Sequence, residues 1–485
     1  MPKYYHNPKF YLVVSLLIGT FIRFYGLNIQ SFWVDELCTV RFSSNSISYL
    51  WKYLVNDVHP PLYQLFMFYW FKIFGTSEIS ARFPSAIAGV LSLLAMYHYS
   101  KQFFDKYIST SATILLSLTY AGIYYSQEAR PYSFLILLSI VSIFCFMKIL
   151  SNENPSFKDY TTYSIISILT AYIHYFGLLL IIFQFIYLFL ITVFFNKQKL
   201  LNIIVIQFLL LIAYIPWIHV MIDTLKHKGG GNAWIQKPGL DFLSSYIYLV
   251  IYPIRNVFIA FSFLMIVPLA LDFRKFTTNL LSYSKAMNLK SPILVLVYLA
   301  ISTSTASFII SQHTPILTPR NLLIISPIIY LIISVWISMC SKLSAYKQNA
   351  YILTICIVCF ALASPDYYSP YKEQWRESTN YAVQNSDNQT MFVILDFFWD
   401  DFGLCSYYFN KTEVPKNSVC IIDKEDKDDI RNIYSQMTSL DKNRMIIIGV
   451  HEKLTKSEQD FLESKSTSHE VKEFTSAVVY IYRFN

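Results

Sequence analysis

The side chains able to do chemistry fall into a few short clusters between long apolar runs. Trp33-Val34-Asp35-Glu36 places two adjacent carboxylates just past the first apolar run. A carboxylate there can take the proton of an attacking hydroxyl, or it is half of a solvated acid pair. Val58-His59-Pro60-Pro61-Leu62-Tyr63 holds a His ahead of two prolines that fix the backbone as it enters an apolar helix. Ser126-Gln127-Glu128-Ala129-Arg130-Pro131-Tyr132 offers a carboxylate and a guanidinium two residues apart. Thr318-Pro319-Arg320-Asn321 offers a second guanidinium, whose planar fork suits phosphate and equally suits anchoring at an interface. Lys226, His227, Lys228, Gly229-Gly230-Gly231 and Trp234 form a glycine-loosened loop that reads as a gate or a plain connector.

The elements that must position these clusters are membrane helices. Of 485 residues, 54% are hydrophobic and 14% charged, against about 25% charged in soluble domains. Apolar runs recur from Phe10 to Ser364, many near the ~20 residues that cross a bilayer as a helix. They lack the alternation of barrel strands, so the chain reads as a polytopic α-helical membrane protein. The runs are 10–27, 60–75, 83–100, 107–125, 131–150, 160–175, 176–195, 201–219, 243–271, 291–310, 321–340 and 350–364. The first follows Lys3 and Lys9 with no clean small-residue cleavage site, so it reads as a retained span. The run 60–75 opens on two prolines, carries Lys72 and reads as an interfacial helix.

Charge fixes the expected orientation. If 60–75 does not cross, one set of loops holds Lys101, Lys106, Lys148, Lys158, Lys197, Lys199, Arg274, Lys275, Lys285, Lys290, Lys342 and Lys347. The other set, after the first loop, holds only Arg130, Lys226, Lys228, Lys237 and Arg320. The positive-inside rule then gives about 11 spans and a cytoplasmic N-terminus. It puts the first outer loop at 28–82 and residues 366–485 outside the cell membrane. Residues 1–365 carry 25 Lys/Arg against 11 Asp/Glu and residues 366–485 carry 14 against 20. The basic excess thus belongs to membrane loops and gives no reason to expect nucleic acid as a partner.

From 366 to 485 the pattern changes to that of a small α/β domain. Helical stretches at 371–385, 425–440 and 454–466 alternate with strand-like runs at Met391–Trp399, Val419–Asp423, Met445–Val450 and Ala477–Tyr482. No glycine-rich phosphate loop and no internal repeat is present. Of the seven Cys, Cys145, Cys340, Cys356 and Cys359 lie in or beside apolar runs. Cys405 and Cys420 lie in polar segments and would be free to pair if this domain is extracytoplasmic.

In this order the clusters resemble the GT-C superfamily of polyprenyl-phosphate-sugar-dependent glycosyltransferases. The likeness is to bacterial relatives of protein O-mannosyltransferases and of lipid A aminoarabinose transferases. The matching text is Arg23-Phe24 with Trp33-Val34-Asp35-Glu36, then His59-Pro60-Pro61-Leu62-Tyr63, then Ala81-Arg82-Phe83-Pro84-Ser85-Ala86 with Gly89. It continues in Ser126-Gln127-Glu128-Ala129-Arg130-Pro131-Tyr132, Pro319-Arg320-Asn321 and Glu373-Gln374-Trp375-Arg376. The resemblance implies a GT-C-like membrane domain over 1–365. It implies transfer of a single sugar from a polyprenyl-phosphate donor to a hydroxyl of a lipid, glycan or protein acceptor, at the outer face among membrane lipids. Asp35 matches the family's catalytic base, with Glu36 beside it. His59 stands where the aminoarabinose transferases have a Lys held to meet the donor phosphate, and Asn321 stands where relatives often have Tyr.

The chemistry agrees with that assignment. An acceptor hydroxyl needs a base, and a phosphate leaving group gains negative charge that cations stabilise. Asp35 meets the first need, and His59, Arg130 and Arg320, with Glu128 among them, line up for donor binding. One-step attack inverts the anomeric centre. No Asp-x-Asp occurs in the first outer loop, so neither a metal nor another cofactor is expected. Two rival classes are a polytopic lipid or glycan transporter or flippase and a non-catalytic envelope scaffold. Transporters place binding residues near the midplane, whereas these charges lie at span ends.

Overall fold

The computed structural model describes residues 7–57, 59–227, 235–239, 241–251, 289–340, 344–369, 372–396, 406–415, 418–423 and 429–485. Cys405, Lys3, Lys228, Gly229-Gly230-Gly231, Trp234, Arg274, Lys275, Lys285 and Lys342 lie outside them, and with these the Cys405–Cys420 pairing and the core of the gate-like loop.

The helices in chain order begin with α1 (Pro8–Phe24), α2 (Val34–Ser43), α3 (Ile47–Leu54), α4 (Leu62–Phe74) and α5 (Glu78–Ser100). There follow α6 (Lys106–Leu118), α7 (Tyr120–Tyr124), α8 (Tyr132–Ser151), α9 (Phe157–Ile173) and α10 (Tyr175–Phe195). Then come α11 (Leu200–His227), α12 (Asp241–Ile251), α13 (Pro292–His313), α14 (Ser326–Cys340) and α15 (Ala345–Tyr368). The last are α16 (Trp375–Gln384), α17 (Ser406–Phe409), α18 (Asp429–Ser439) and α19 (Lys456–Lys465).

Two compact units share this chain. One comprises Met1–Tyr25, Ser46–Ile73 and Ser80–Pro365, the other Gly26–Asn45, Phe74–Ile79 and Asp366–Asn485.

The first unit is a multi-pass membrane protein. Among the described residues six stretches are long and apolar enough to cross a bilayer: Glu78–Ser100, Tyr132–Ser151, Tyr175–Phe195, Lys197–Asp223, Pro292–His313 and Pro319–Met339. Large apolar side chains stay exposed along these helices, such as Phe194 and Leu201, as lipid solvation requires. At 13 residues, α4 rises about 20 Å, short of the ~30 Å hydrocarbon thickness.

The expected span 107–125 is not continuous. It breaks at Thr119, whose backbone is extended (φ −81°, ψ 154°) between α6 and α7. The free carbonyls that end α6 are taken by the fully buried Arg23. Its Nη2 donates to the Leu116 oxygen and its Nη1 to the Ser117 oxygen, each at 2.9 Å. The Thr119 hydroxyl is 2.8 Å from Tyr330 Oη, which donates to the Val250 oxygen at 2.9 Å. Side chains thus replace the helical ladder where it stops.

The second unit is built on a five-stranded sheet: β1 (Thr390–Asp396), β2 (Val419–Asp423), β3 (Arg444–Val450), β4 (Ser468–Phe474) and β5 (Ala477–Arg483). The spatial order is β2-β1-β3-β5-β4. The pairs β1–β2 and β1–β3 are parallel; β3–β5 and β4–β5 are antiparallel. Met391, Val393, Met445, Ile447, Val478 and Tyr480 alternate into one core with Ile430, Met437 and Leu462 of the helices. The strand β4 has no counterpart in the sequence reading. It carries Glu470, Lys472 and Glu473 along an exposed edge, the pattern by which sheets protect their edges.

Candidate active site

Asp35 occupies the first turn of α2 in the second unit, half-buried. An acid there interacts favourably with the helix dipole. The start of α2 is pinned by the segment that precedes α16. Glu373 Oε2 accepts the Val34 N–H at 2.9 Å and the Trp375 indole N–H at 2.7 Å. Glu373 Oε1 lies 2.6 Å from His451 Nε2. That contact raises the His451 pKa above its ordinary value. Lys372 Nζ donates to Glu36 Oε2 at 3.2 Å, with the two side chains 5% and 0% exposed. Ahead of α2, Arg376 donates to the Asn28 oxygen (2.9 Å), the Ile29 oxygen (2.8 Å) and Glu78 (3.1 Å). Tyr408 Oη receives the Phe32 N–H at 2.8 Å. These commitments explain why α16 begins at Trp375 and not at 371 as expected.

The two adjacent acids therefore sit differently. Glu36 is buried in an ion pair with Lys372, while Asp35 is half-buried in the same helical turn.

The other candidates belong to the first unit, where helix ends converge. Arg130 precedes α8, and its Nη2 lies 3.5 Å from His59 Nε2. The other ring nitrogen of His59, Nδ1, lies 3.5 Å from Asp57 Oδ1. Arg320, on a 3₁₀ turn over Pro319–Ile325, has its guanidinium carbon 6.0 Å from the centre of the Tyr132 ring. Glu128 is buried two residues from Arg130. Ser85 Oγ donates to the Arg130 carbonyl at 3.3 Å and ties the motif to α5. Gly89 makes that approach possible, because a Cβ there would lie 2.1 Å from Ser126 Oγ.

The residue that sequence reading passed over is His174. It forms the one-residue joint between α9 and α10, with an extended backbone (φ −162°, ψ 143°). Gly177 permits so tight a reversal; a Cβ on it would meet the Thr170 carbonyl at 2.0 Å. The His174 ring is 5.5 Å from His59 and 5.9 Å from Tyr132, centre to centre. A signal did exist: His174 is an ionisable residue inside the apolar stretch 160–195, which is reason by default to suspect function. Among the described residues, no three His, Cys, Asp or Glu side chains converge as a metal site requires.

Residues 58–219 match the family model described as dolichyl-phosphate-mannose-protein mannosyltransferase. No curated protein matches the chain in sequence. Its fold is similar to that of ArnT from Cupriavidus metallidurans. Against the apo state the TM-score is 0.61 at 11% identity, covering 98% of each chain. Against ArnT bound to undecaprenyl phosphate it is 0.59 at 11% identity, covering 97% of each. The polytopic helical architecture is thus the GT-C fold expected from the motifs.

Proposed function

We propose that this protein is a membrane glycosyltransferase that moves a single sugar from a polyprenyl-phosphate donor to an acceptor hydroxyl. The observation that carries the reading is the group formed by His59, Arg130, His174, Tyr132 and Arg320. It brings two guanidinium groups together with two imidazoles and a phenol at helix ends, inside a bundle whose fold is shared with a protein that binds undecaprenyl phosphate. Such a cluster is suited to a phosphate leaving group as its charge grows.

Asp35 is the general base in this reading. Its carboxylate removes the acceptor proton as the oxygen attacks the anomeric carbon, the sugar–phosphate bond breaks on the far side, and configuration inverts. Glu36 holds the α2 turn through Lys372 and does not touch the reacting atoms. His59, Glu128, Arg130 and Arg320 shape the donor end. Residues 366–485 form an extracytoplasmic domain, and the N-terminus is cytoplasmic. The acceptor is a lipid, a glycan or a protein, and the sugar is a hexose or a pentose.

The test has two stages. Mass spectrometry of envelope glycolipids and glycoproteins, with and without the protein, identifies the missing sugar. Transfer of that sugar from its polyprenyl phosphate is then followed in proteoliposomes. Asp35→Asn should keep donor binding and lower turnover by about 10²–10⁴-fold or more. Near-normal transfer by Asp35→Asn would eliminate this base, and an unchanged envelope would eliminate the reaction.

A further inference from the structure

Within the second unit, α2 begins without a cap of its own. Trp33 stands at the N-cap position and makes no side-chain capping bond, although a helix start leaves N–H groups that need acceptors. The acceptor comes from far along the chain: Glu373 Oε2 takes the Val34 N–H at 2.9 Å. Val34 is the first residue of α2 and Asp35 the second, so this bond is made one residue from the carboxylate proposed as the base. The backbone oxygen of Glu373 also accepts the Ser31 hydroxyl, which fixes the chain as it enters α2.

Glu373 is in turn immobilised on the sheet. It is 7% exposed and both its carboxylate oxygens are engaged. Oε2 accepts the Trp375 indole N–H at 2.7 Å as well as that of Val34, and Oε1 meets His451 Nε2 at 2.6 Å. An ionised carboxylate only accepts, so the His451 nitrogen is the donor. The next residue is tied down too: the Gln374 N–H donates to the Thr475 oxygen at 3.1 Å, and the Gln374 side-chain oxygen accepts the Thr475 N–H at 2.8 Å. The corner of the sheet that supplies these partners is strained. Of the three non-glycine residues with positive φ among the described residues, two lie here, His451 (φ 60°) and Ser476 (φ 54°). They are joined by the His451 N–H, which donates to the Ser476 oxygen at 3.0 Å. Such backbone persists where its surroundings over-determine it, and it gathers at functional sites.

We infer that Glu373 is a positioning residue for Asp35: it caps α2 in place of a local side chain and is itself held by His451, so that residues 366–485 serve the reaction by setting where the base stands. This rests on Asp35 as the base. A cap supplied by the N-cap residue would fix α2 only to its own chain segment. A cap supplied by Glu373 fixes it to the sheet, and the ordering of the sheet corner is passed to the first turn of α2.

The experiment separates positioning from stability. Transfer is read in cells lacking the protein, as the initial rate, per folded molecule, at which the missing envelope product returns when each variant is induced, followed by mass spectrometry. Glu373→Ala removes the acceptor and should transfer about 30- to 100-fold more slowly, as misplacement of a reacting group by about an ångström gives. In the purified full-length protein, the Val34–Leu37 amides of that variant should exchange with deuterium at least about ten-fold faster. Glu373→Gln keeps an oxygen for the Val34 and Trp375 N–H groups and turns its amide toward His451, whose neutral ring can accept it, so it should stay within about threefold of wild type. Met437→Ala opens a cavity in the core of the same domain and controls for lost stability alone; it should transfer at the wild-type rate. If Glu373→Ala transfers like wild type, is no slower than Met437→Ala, or leaves the α2 amides as protected as before, Glu373 does not position Asp35 and the inference fails. It fails equally if Glu373→Gln is as slow as Glu373→Ala, because an acceptor for α2 would then not be what matters. Normal transfer by Asp35→Asn is a different failure, which removes the base itself, and an envelope that loses no product without the protein removes the reaction.

Discussion

Replacing Lys372 by Met tests whether Glu36 is structural, and the structure sets the size of the effect. The pair is 3.2 Å long with both side chains essentially out of solvent, 5% and 0% exposed. At an effective dielectric constant of about 20, two unit charges at that distance attract by roughly 5 kcal/mol. Burying the two charges cancels most of this, so the intact pair adds little net stability. Removing one partner strands the other, at about 3–5 kcal/mol. Lys372→Met should therefore cost that much, while Lys372→Met with Glu36→Gln should recover most of it. For a cooperative unit of about 150 residues, 3 °C per kcal/mol is a fair conversion, so the single variant should melt roughly 10 °C lower. The assay is thermal unfolding of the purified full-length protein in detergent, comparing four proteins in a double-mutant cycle. Should Lys372→Met melt like wild type, or the double variant fall further than the sum of the singles, the burial argument is wrong. Glu36 would then return as a candidate for the reaction itself.

Three further outcomes are expected. The His451 pKa is raised by Glu373, so its contribution to stability is complete below the ordinary His value of about 6.5 and is lost as pH rises through the raised one. Wild type should lose its advantage over His451→Gln as pH rises from about 6 to 9, by less than about 1 kcal/mol because the imidazole is 42% exposed; a pH-independent difference would remove the linkage. Gly89→Ala should destabilise by about 1–3 kcal/mol through the clash with Ser126 and should disturb donor binding, and an unperturbed variant would show that the motif has room to move. In a background stripped of the seven native Cys, an impermeant thiol reagent should label a Cys at Asn388 in intact cells and one at Asn152 only after permeabilisation; the reverse pattern would invert the topology.

The sequence displayed the membrane class, the polar motifs and most of the soluble domain because each leaves a local mark. Apolar length marks a span, and short runs rich in apolar and β-branched residues mark β1, β2, β3 and β5. What it did not display depends on partners distant in the chain. Nothing local at Thr119 announces a helix end; the break is made by Arg23, about a hundred residues earlier, offering its guanidinium to two carbonyls. The strand β4 has an exposed, charged face and takes its conformation from pairing with β5. Asp35 and Glu36 look equivalent as adjacent acids, and the fold separates them by burying Glu36 against Lys372 and leaving Asp35 half-buried.

His174 is the most instructive of these cases, because its two nitrogens answer to different levels of structure. Nδ1 serves the local chain as the cap of α10, which accounts for a polar residue at a sharp reversal within an apolar run. A Ser, Thr, Asn or Asp would serve as well or better there, so the cap alone does not select His. What His adds over them is reach: a second nitrogen on the far side of a rigid ring, carrying a proton whose position the cap itself decides. Packing then surrounds that ring with His59 and Tyr132, contributed from other helix ends. The local role fixes the tautomer, and the tautomer makes the distal nitrogen a buried donor. A residue chosen only to end one helix and begin another would carry no such second nitrogen.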